Sequence, residues 1–206
     1  MSADINIRSC WRGHCPLLGP ALYVWVQGCP LRCPGCFNTE GLDMDRCATL
    51  TAPNVLAERF LEDPTALVLS GGEPFAQASA LAGALRIIRA QAQQAPVLAY
   101  SGYPLEHLLS GAIAGALDLL GLLDVLVDGP FQRQHPSDHP LLGSENQRVF
   151  LLGSRVPVAR LEALKRPQIE AEVDINGGLR LVGTGGNGFD MHALPALLLR
   201  HGIILE

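Results

Sequence analysis

The chain has 206 residues, of which 48% are hydrophobic and 17% are charged, and its formal net charge is −5. This length suits one domain with a full hydrophobic core, and the apolar composition indicates a well-buried sheet. The negative charge argues against a nucleic-acid partner, because phosphate binding depends on clustered Lys and Arg. No apolar run could span a bilayer, and residues 1–8 lack the apolar stretch of a signal peptide. We therefore expect a cytoplasmic protein without membrane contact.

The first predicted strand is the apolar, β-branched and aromatic run at residues 21–27, which ends at a glycine. A loop rich in Pro, Gly and Cys follows at residues 28–40, and a short amphipathic helix is predicted at residues 54–61. A second buried strand is predicted at residues 66–69. It leads into a Ser-Gly-Gly-Glu-Pro segment and then into a long helix at residues 75–94.

Strands and helices continue to alternate, with strands predicted at residues 97–100, 125–127 and 148–152 and helices at 105–117 and 158–165. This alternation predicts a parallel sheet. A terminal strand pair with a glycine-rich turn is predicted at residues 170–175 and 179–182, followed by a flexible connection at 183–188 and a last helix at 191–201. No repeat or long linker divides the sequence, so we expect a single domain spanning residues 1–206.

Three of the six cysteines, Cys29, Cys33 and Cys36, lie in the loop at residues 28–40 with C-x3-C-x2-C spacing. Without a signal peptide, clustered cysteines are more typical of metal ligands than of disulfides. Structural zinc needs four closed ligands, and no histidine lies within residues 15–47. Three thiolates in one short loop favour an iron–sulfur cluster in which one iron stays open to a substrate or cofactor.

This cysteine loop after the first strand resembles the signature of radical S-adenosylmethionine (SAM) enzymes. The resemblance implies an incomplete (β/α)6 fold, a partial TIM barrel, with the catalytic 4Fe-4S cluster on Cys29, Cys33 and Cys36. It also implies that the open iron binds SAM and that one-electron reduction cleaves SAM into methionine and a 5′-deoxyadenosyl radical. The cofactor carries the difficult chemistry, and the protein positions it.

The segment Gly71-Gly72-Glu73-Pro74 after the second strand is similar to a second motif of the same superfamily. The resemblance implies that this segment binds the SAM amino group, and that Glu73 supplies negative charge or braces the loop. Glycines at this position let the backbone approach a ligand closely. An ordinary turn is the alternative for such a tetrapeptide in isolation.

Five ordered blocks, at residues 24–29, 33–38, 100–103, 126–131 and 143–148, resemble the activating proteins of anaerobic (class III) ribonucleotide reductases. Ser101 and Asp128 fall at the carboxyl ends of predicted strands, where barrel folds build active sites, and Arg148 is suited to pair with the SAM carboxylate. We expect these three residues to bind the cofactor. The alternatives are a Gly-Pro turn for Asp128 and a surface ion pair for Arg148.

The same resemblance implies that the substrate is a glycine in a separate glycyl-radical protein subunit, and that a flavodoxin-like or ferredoxin-like protein supplies the electron. One alternative is a radical SAM enzyme that modifies a small molecule or a natural-product peptide. A second alternative is a non-catalytic iron–sulfur electron carrier. A carrier usually closes its cluster with a fourth cysteine, which this loop lacks.

Several other polar residues are expected to have structural roles. Asn38 is expected to cap the segment that follows the cysteine loop. His135 and His139 are expected to lie in a solvated loop, since no third metal ligand is evident. The remaining cysteines are expected to be thiols outside the cluster rather than ligands of a second cluster or an electron relay, and they are Cys10, Cys15 and Cys47.

Overall fold

A computed structural model describes residues 4–164 and two later strands. Its strands are β1 (Ile5–Cys15), β2 (Gly19–Val26), β3 (Thr49–Thr51), β4 (Leu67–Gly71), β5 (Val97–Tyr100), β6 (Val125–Asp128), β7 (Arg148–Leu151), β8 (Glu170–Val173) and β9 (Leu179–Val182). Its helices are α1 (Pro53–Leu61), α2 (Ala78–Gln91), α3 (Leu105–Leu109), α4 (Ala116–Leu120) and α5 (Val158–Glu162), with 3₁₀ turns at Thr39–Gly41 and Pro74–Gln77. None of the helices in these described ranges is long and apolar enough to cross a membrane.

Seven of the described strands form one mixed sheet in the order β3-β1-β2-β4-β5-β6-β7. The central strands β2, β4, β5 and β6 are parallel, as the alternation of strands and helices predicts. At the two edges, β1, β3 and β7 pair antiparallel with their neighbours. The prediction of a further parallel strand at residues 148–152 is therefore wrong. The chain returns to β6 through residues 129–147, which contain no crossover helix.

Alternate residues of the sheet face two hydrophobic layers. In β2, Leu22 and Val24 face the layer covered by α1, α2 and α4, whereas Ala21 and Tyr23 face the opposite layer. The loop after β6 covers part of this second layer with two buried leucines at residues 141–142. Burial on both faces explains why the central strands are continuous apolar runs in the sequence.

The eleven-residue strand β1 was not predicted from the sequence. Ile5 and Ile7 face the helix-side layer, but Trp11 and Cys15 face the other layer. The pairing with β2 shifts register between Ile7 and Ser9, so one extra residue exchanges the two faces of the strand. The apolar residues therefore never show the strict alternation that predicts a half-buried strand.

Two predicted helices differ from the observed ones. The helix predicted at residues 105–117 is split into α3 and α4, because Gly111 and Gly115 adopt positive φ values of 77° and 78° that interrupt a helix. The helix predicted at residues 75–94 begins as a 3₁₀ turn and continues as α2. The terminal strands β8 and β9 pair antiparallel as predicted, while residues 183–188 and 191–201 lie outside the described residues.

Candidate active site

The parallel strands bring four polar segments to one edge of the sheet. These strands end at Val26, Gly71, Tyr100 and Asp128. The cysteine loop, the Gly-Gly-Glu-Pro segment, a Ser-Gly-Tyr segment and a Gly-Pro turn follow them directly. Carboxyl ends of parallel strands lie at the same edge, which is where α/β folds build their active sites. The structure therefore brings together, at one edge of the sheet, segments that are far apart in the sequence.

Backbone hydrogen bonds fix the start of the cysteine loop. The Gly28 N–H donates to the Gly41 carbonyl over 2.9 Å, and the Cys29 N–H donates to the Leu42 carbonyl over 3.3 Å. Gly28 has a φ of 94°, a conformation that favours glycine. The loop is thus closed on itself at its base, and Cys29 is held buried at the end of β2.

The second and third cysteines of the motif lie on a tight turn. The Cys36 N–H donates to the Cys33 carbonyl over 3.1 Å. Gly35 between them has a φ of 76°, and a Cβ atom on it would come within 2.7 Å of the Arg133 side chain. A larger residue at position 35 would strain this turn. The positive φ of this turn therefore explains why a glycine precedes the third cysteine.

Backbone N–H groups point at two of the three sulfur atoms. Burial raises the pKa of the Cys29 thiol, and hydrogen bonds from the N–H groups of Arg32 and Leu31 oppose that rise. Burial likewise raises the pKa of the Cys36 thiol, opposed by the Asn38 N–H. N–H groups directed at sulfur favour the thiolate, which is the form that binds metal.

The three thiols of the motif lie close enough together to influence one another's charge. Cys33 lies close enough to Cys29 and Cys36 that its negative charge raises the pKa of both. Across residues 4–164 and the two later strands, no three His, Cys, Asp or Glu side chains converge to hold one metal ion. A single zinc needs each sulfur about 2.3 Å from one point. In a 4Fe-4S cluster each cysteine binds a different iron, and three thiolates from one short loop are the ligand type that such a cluster requires.

Glu73 is a buried carboxylate that joins the ends of β4 and β5. One oxygen accepts hydrogen bonds from the Phe75 N–H over 2.9 Å and the Ser101 hydroxyl over 3.0 Å. The other oxygen accepts from the Gly102 N–H over 2.8 Å. Burial raises the pKa of Glu73 to about 7, although all three hydrogen bonds oppose the rise. These hydrogen bonds tie the Gly-Gly-Glu-Pro segment to the Ser-Gly-Tyr segment.

Gly71 and Gly72 allow two strand-end loops to pack backbone against backbone. Gly71 has a φ of 102°, and a Cβ atom there would lie 2.5 Å from the Val26 nitrogen. A Cβ atom on Gly72 would overlap the Gly28 carbonyl, which also accepts a hydrogen bond from the Glu73 N–H. Pro74, also buried, then begins the 3₁₀ turn. Glycine at both positions is needed for contact between the protein's own loops.

The Ser-Gly-Tyr segment lies beside the cysteine loop. The Ser101 hydroxyl donates to Glu73 and accepts from the Tyr103 N–H over 3.0 Å. A Cβ atom on Gly102 would overlap the Leu31 side chain of the cysteine loop. Burial raises the pKa of Tyr103, and the negative charges of Glu73 and the first cysteine of the motif add to the rise. Ser101 therefore has protein partners for its proton and for one lone pair.

Asp128 and Arg148, both predicted to bind the cofactor, bind each other. They lie opposite each other on β6 and β7, and the Arg148 Nε donates to Asp128 Oδ1 over 3.0 Å. Asp128 is fully buried and also accepts from the Leu105 N–H at the start of α3, over 2.6 Å. Arg148 forms two further hydrogen bonds to Glu106, which lower the pKa of Glu106 to about 2. Glu106 was not predicted from the sequence.

Other residues singled out from the sequence lie near or beyond this edge. Asn38 stands at the N-cap position of the Thr39–Gly41 turn, but its side chain makes no capping bond and its Nδ2 is buried without a hydrogen-bond partner. The His139 Nδ1 accepts from the Leu141 N–H, and burial lowers its pKa. The six cysteines, all at positions 10–47, form no disulfide.

Two buried or half-buried glutamines that the sequence analysis missed hold the cysteine loop in place. The Gln27 side chain donates to the carbonyls of Glu40 and Asp43 over 3.1 and 2.9 Å. The Gln77 side chain donates to the Gln27 carbonyl over 3.0 Å and exchanges hydrogen bonds with the Asn6 backbone. Gln27 ends an apolar predicted strand, and a buried amide needs hydrogen-bond partners. This position in the sequence could therefore have indicated a contact between Gln27 and the following loop.

A cysteine loop at the carboxyl edge of a parallel sheet is the site of an iron–sulfur protein. The chain belongs to the 4Fe-4S single cluster domain family, whose model matches residues 18–150, more than half of the sequence. The anaerobic ribonucleoside-triphosphate reductase-activating protein of Enterobacteria phage T4 is 23% identical over 140 residues, which cover 64% of this chain and 84% of the relative. The protein of that name from Escherichia coli (strain K12) is 28% identical over 145 residues, covering 65% and 90%.

Among solved structures, QueE from Escherichia coli is similar with a TM-score of 0.42 and 11% sequence identity, covering 64% of this chain and 73% of that chain. The sequence-based resemblance to the activating proteins of anaerobic ribonucleotide reductases is confirmed by the relatives, and the expectation of a 4Fe-4S cluster by the family.

Proposed function

We propose that this chain is a radical SAM enzyme that generates a glycyl radical on a separate protein subunit. Cys29, Cys33 and Cys36 hold the 4Fe-4S cluster in this proposal, and SAM binds the iron that has no cysteine. When bound, the cluster supplies the electron that cleaves SAM into methionine and a 5′-deoxyadenosyl radical. The observation that carries the proposal is the meeting of the cysteine loop, Glu73 and the Ser-Gly-Tyr segment at one edge of the parallel sheet.

Glu73 contributes electrostatically to SAM binding. SAM carries a sulfonium and an ammonium group, both positive. The hydrogen bonds to the Glu73 carboxylate come from two backbone N–H groups and a hydroxyl, and no Lys or Arg of the described residues forms an ion pair with it. Its charge is therefore left for a cationic ligand nearby, in a buried environment where charge interactions are strong. Both oxygens already have donors, so Glu73 acts through its field and by holding the loops.

The backbone of Gly71, Gly72 and Pro74 forms the surface that faces the SAM amino group in this proposal. Ser101 contributes the lone pair that its protein contacts leave unused. Asp128 and Arg148 hold the turn that leads into α3, because Asp128 accepts from the first N–H of that helix. We assign these two residues a positioning role beside the cofactor.

The four parallel strands belong, in this proposal, to an incomplete (β/α)6 barrel that is open on one side. A loop of the partner can then bring a glycine to the deoxyadenosyl radical, which takes the α-hydrogen and becomes 5′-deoxyadenosine. The partner also covers the radical from solvent. The names of the T4 and Escherichia coli relatives support an anaerobic reductase as the partner. A flavodoxin-like or ferredoxin-like protein supplies the electron.

Anaerobic reconstitution with iron, sulfide, dithionite and SAM tests the enzyme class. We expect 5′-deoxyadenosine from the wild-type protein and from Cys47→Ala, an exposed cysteine outside the motif, but none from Cys33→Ala. Electron paramagnetic resonance after mixing with an anaerobic reductase subunit tests the substrate, and α-deuterated glycine in that subunit should transfer deuterium into deoxyadenosine. Two results would contradict a protein substrate: deoxyadenosine that contains no deuterium, or full turnover on a small molecule without the subunit. Either result would favour a radical SAM enzyme that modifies a small molecule.

A further inference from the structure

The cysteine loop contains a buried side-chain donor that the protein does not use. Asn38, which follows the third cysteine of the motif closely, is 5% exposed, and its Nδ2 has no hydrogen-bond partner among the residues that the structure describes. Asn38 occupies the N-cap position of the Thr39–Gly41 turn, yet its side chain makes no capping bond. Burying a donor without an acceptor costs free energy, so Asn38 needs an explanation that capping does not supply.

Gly41 makes the space that the Asn38 amide occupies. A Cβ atom on Gly41 would overlap Asn38 Nδ2 and would lie 3.0 Å from Asn38 Cγ. The Gly41 N–H donates to the Asn38 carbonyl over 3.1 Å, and the Gly41 carbonyl accepts from the Gly28 N–H over 2.9 Å. These backbone groups pair with one another. The loop therefore accommodates the amide without offering it an acceptor.

A second buried amide of the same loop is treated differently. Gln27 is buried at the end of β2, and its Nε2 donates to the carbonyls of Glu40 and Asp43 over 3.1 and 2.9 Å. The Gln27 amide nitrogen thus holds the loop, whereas the Asn38 amide nitrogen bonds to nothing in the described part of the chain. The contrast indicates that the Asn38 amide is kept for an acceptor that the chain itself does not provide.

Asn38 also lies beside one of the three thiols of the motif. Its backbone N–H is directed at the sulfur of Cys36, where it opposes the rise in the pKa of that thiol. Cys36 is a cluster ligand in the proposed function, so Asn38 directly adjoins the ligand set. The sulfur atoms of an iron–sulfur cluster accept N–H hydrogen bonds, which makes them a suitable acceptor for a neutral amide.

We infer that the Asn38 side-chain amide donates a hydrogen bond to a sulfur atom of the 4Fe-4S cluster and thereby raises the reduction potential of the cluster. Reduction adds negative charge, so a donor at sulfur stabilises the reduced cluster more than the oxidised one. Asn38 is a positioning residue rather than a ligand. The inference rests on the cluster of the proposed function and adds how this chain makes that cluster easier to reduce.

Redox titration of the reconstituted full chain without SAM, followed by electron paramagnetic resonance, tests the inference. Asn38→Leu replaces the amide by an apolar group of similar shape. At a fixed potential we expect it to lower the ratio of reduced to oxidised cluster about tenfold, which is equivalent to about 59 mV. The matched control is Asn54→Leu, which removes an exposed amide on α1 and should keep the wild-type potential. Asn38→Ala also removes the donor, should shift the potential in the same direction, and serves if Asn38→Leu does not fold.

The hydrogen bond itself has a spectroscopic readout. Electron–nuclear double resonance on the reduced cluster, in light and in heavy water, detects exchangeable protons close to the iron and sulfur atoms. We expect a proton coupling in the wild type that is lost in Asn38→Leu and kept in Asn54→Leu. Identical spectra for the wild type and Asn38→Leu would contradict a hydrogen bond from this amide.

Unfolding of the metal-free protein distinguishes this use of Asn38 from a structural one. Asn38→Leu should keep or raise the denaturant midpoint, because it removes a buried donor without a partner. Gln27→Leu should lower the midpoint, because it removes two formed hydrogen bonds from the same loop. A fall of the midpoint in Asn38→Leu as large as that in Gln27→Leu would assign Asn38 to the fold and overturn the inference.

The remaining outcomes separate this inference from the proposed function. An unchanged potential in Asn38→Leu, at wild-type iron content, would overturn the inference and leave the proposed function standing. An unchanged potential together with weaker SAM binding would also overturn it and would assign the amide to SAM instead. Failure of the wild-type chain to bind a 4Fe-4S cluster would refute the proposed function and, with it, the inference that rests on it.

Discussion

The two ends of the central strands each contain a buried carboxylate, and of these two only Asp124 is paired with cations. Asp124, at the amino end of β6, is fully buried and bound by Arg89 over 2.8 Å and Arg155 over 2.9 Å. Glu73, at the carboxyl ends, is 1% exposed and has hydrogen bonds but no cation. Charge is balanced where the sheet needs only stability. It is left unbalanced where a cationic ligand is expected.

Asp124 also links three elements through its backbone and side chain. Its carboxylate accepts from the Val97 N–H over 2.8 Å, and its carbonyl accepts from the Leu152 N–H over 2.8 Å. Arg89 further donates to the Leu122 carbonyl. Such a network is fully satisfied without any ligand. At the other end, the Asn38 Nδ2 is buried without a hydrogen-bond partner. The network at the amino end is complete within the protein, whereas the carboxyl end contains a buried donor without a partner.

The largest expected effect is at the carboxyl end. Cys33→Ala should abolish deoxyadenosine formation and lower the iron content, because two thiolates hold the cluster too weakly. Cys47→Ala should retain both. Iron and sulfide analysis with a deoxyadenosine assay measures this, and full activity in Cys33→Ala would show that the cluster is held elsewhere.

Asp124→Asn should have the next largest effect, this time on stability. It leaves Arg89, whose side chain is 12% exposed, without its charge partner, so the free energy of unfolding should fall by about 3 kcal/mol. Asp118→Asn breaks the exposed pair with Arg86 and should change it by less than about 1 kcal/mol. Denaturant unfolding measures both. Equal effects would mean that the buried network contributes no more than a surface ion pair.

Glu73→Gln should lower activity more than stability. Loss of the negative charge beside the SAM site should reduce the rate of deoxyadenosine formation about tenfold, equivalent to about 1.4 kcal/mol. The amide nitrogen would face a backbone N–H, so unfolding should become easier by about 1 kcal/mol. Glu73→Asp is the companion variant, since it keeps the charge but shortens the reach. If Glu73→Gln and Glu73→Asp lose activity equally, the position of the side-chain oxygens matters for activity and the negative charge does not.

The raised pKa of Glu73 predicts a pH dependence that its Gln variant lacks. Between about pH 4.5 and 7 the folded protein retains a proton at Glu73 that the unfolded chain has released. The free energy of unfolding should therefore decrease as the pH rises through this interval and level off above it. Denaturation of metal-free protein at several pH values, compared with Glu73→Gln, isolates the contribution. If the free energy of unfolding of the wild type, relative to that of Glu73→Gln, increased with pH, the pKa of Glu73 would not be raised in the folded protein.

The smallest effect is expected for Glu106→Gln. Glu106 is on the surface, and Arg148 keeps its hydrogen bonds to Asp128 when the Glu106 charge is removed. Stability and deoxyadenosine formation should both stay close to wild type. Asp128→Asn, by contrast, weakens the buried side of this network and should reduce SAM affinity, measured by equilibrium binding. A large effect of Glu106→Gln alone would show that the outer pair orients Arg148.

The sequence predicted the central parallel strands because their two-sided burial makes them continuous apolar runs. It also grouped the cysteine loop with Glu73 and Ser101, since strand-end motifs of parallel strands meet at one edge. It could not predict β1, because the bulge after Ile7 disrupts the alternation. Nor could it pair Asp128 with Arg148, since that contact depends on β7 running antiparallel.

The hairpin of β1 and β2 has a consequence for the order of folding. Its strands are joined by only three residues, at positions 16–18, and pair from Cys15 and Gly19 back to Ile7 and Val26. All of these residues precede the cysteine loop in the chain. Local contacts form faster than distant ones, and synthesis proceeds from the amino terminus. The contacts of this hairpin can therefore form before the parallel pairing of β2 with β4, which has to close a much longer segment of chain that includes Cys29, Cys33 and Cys36.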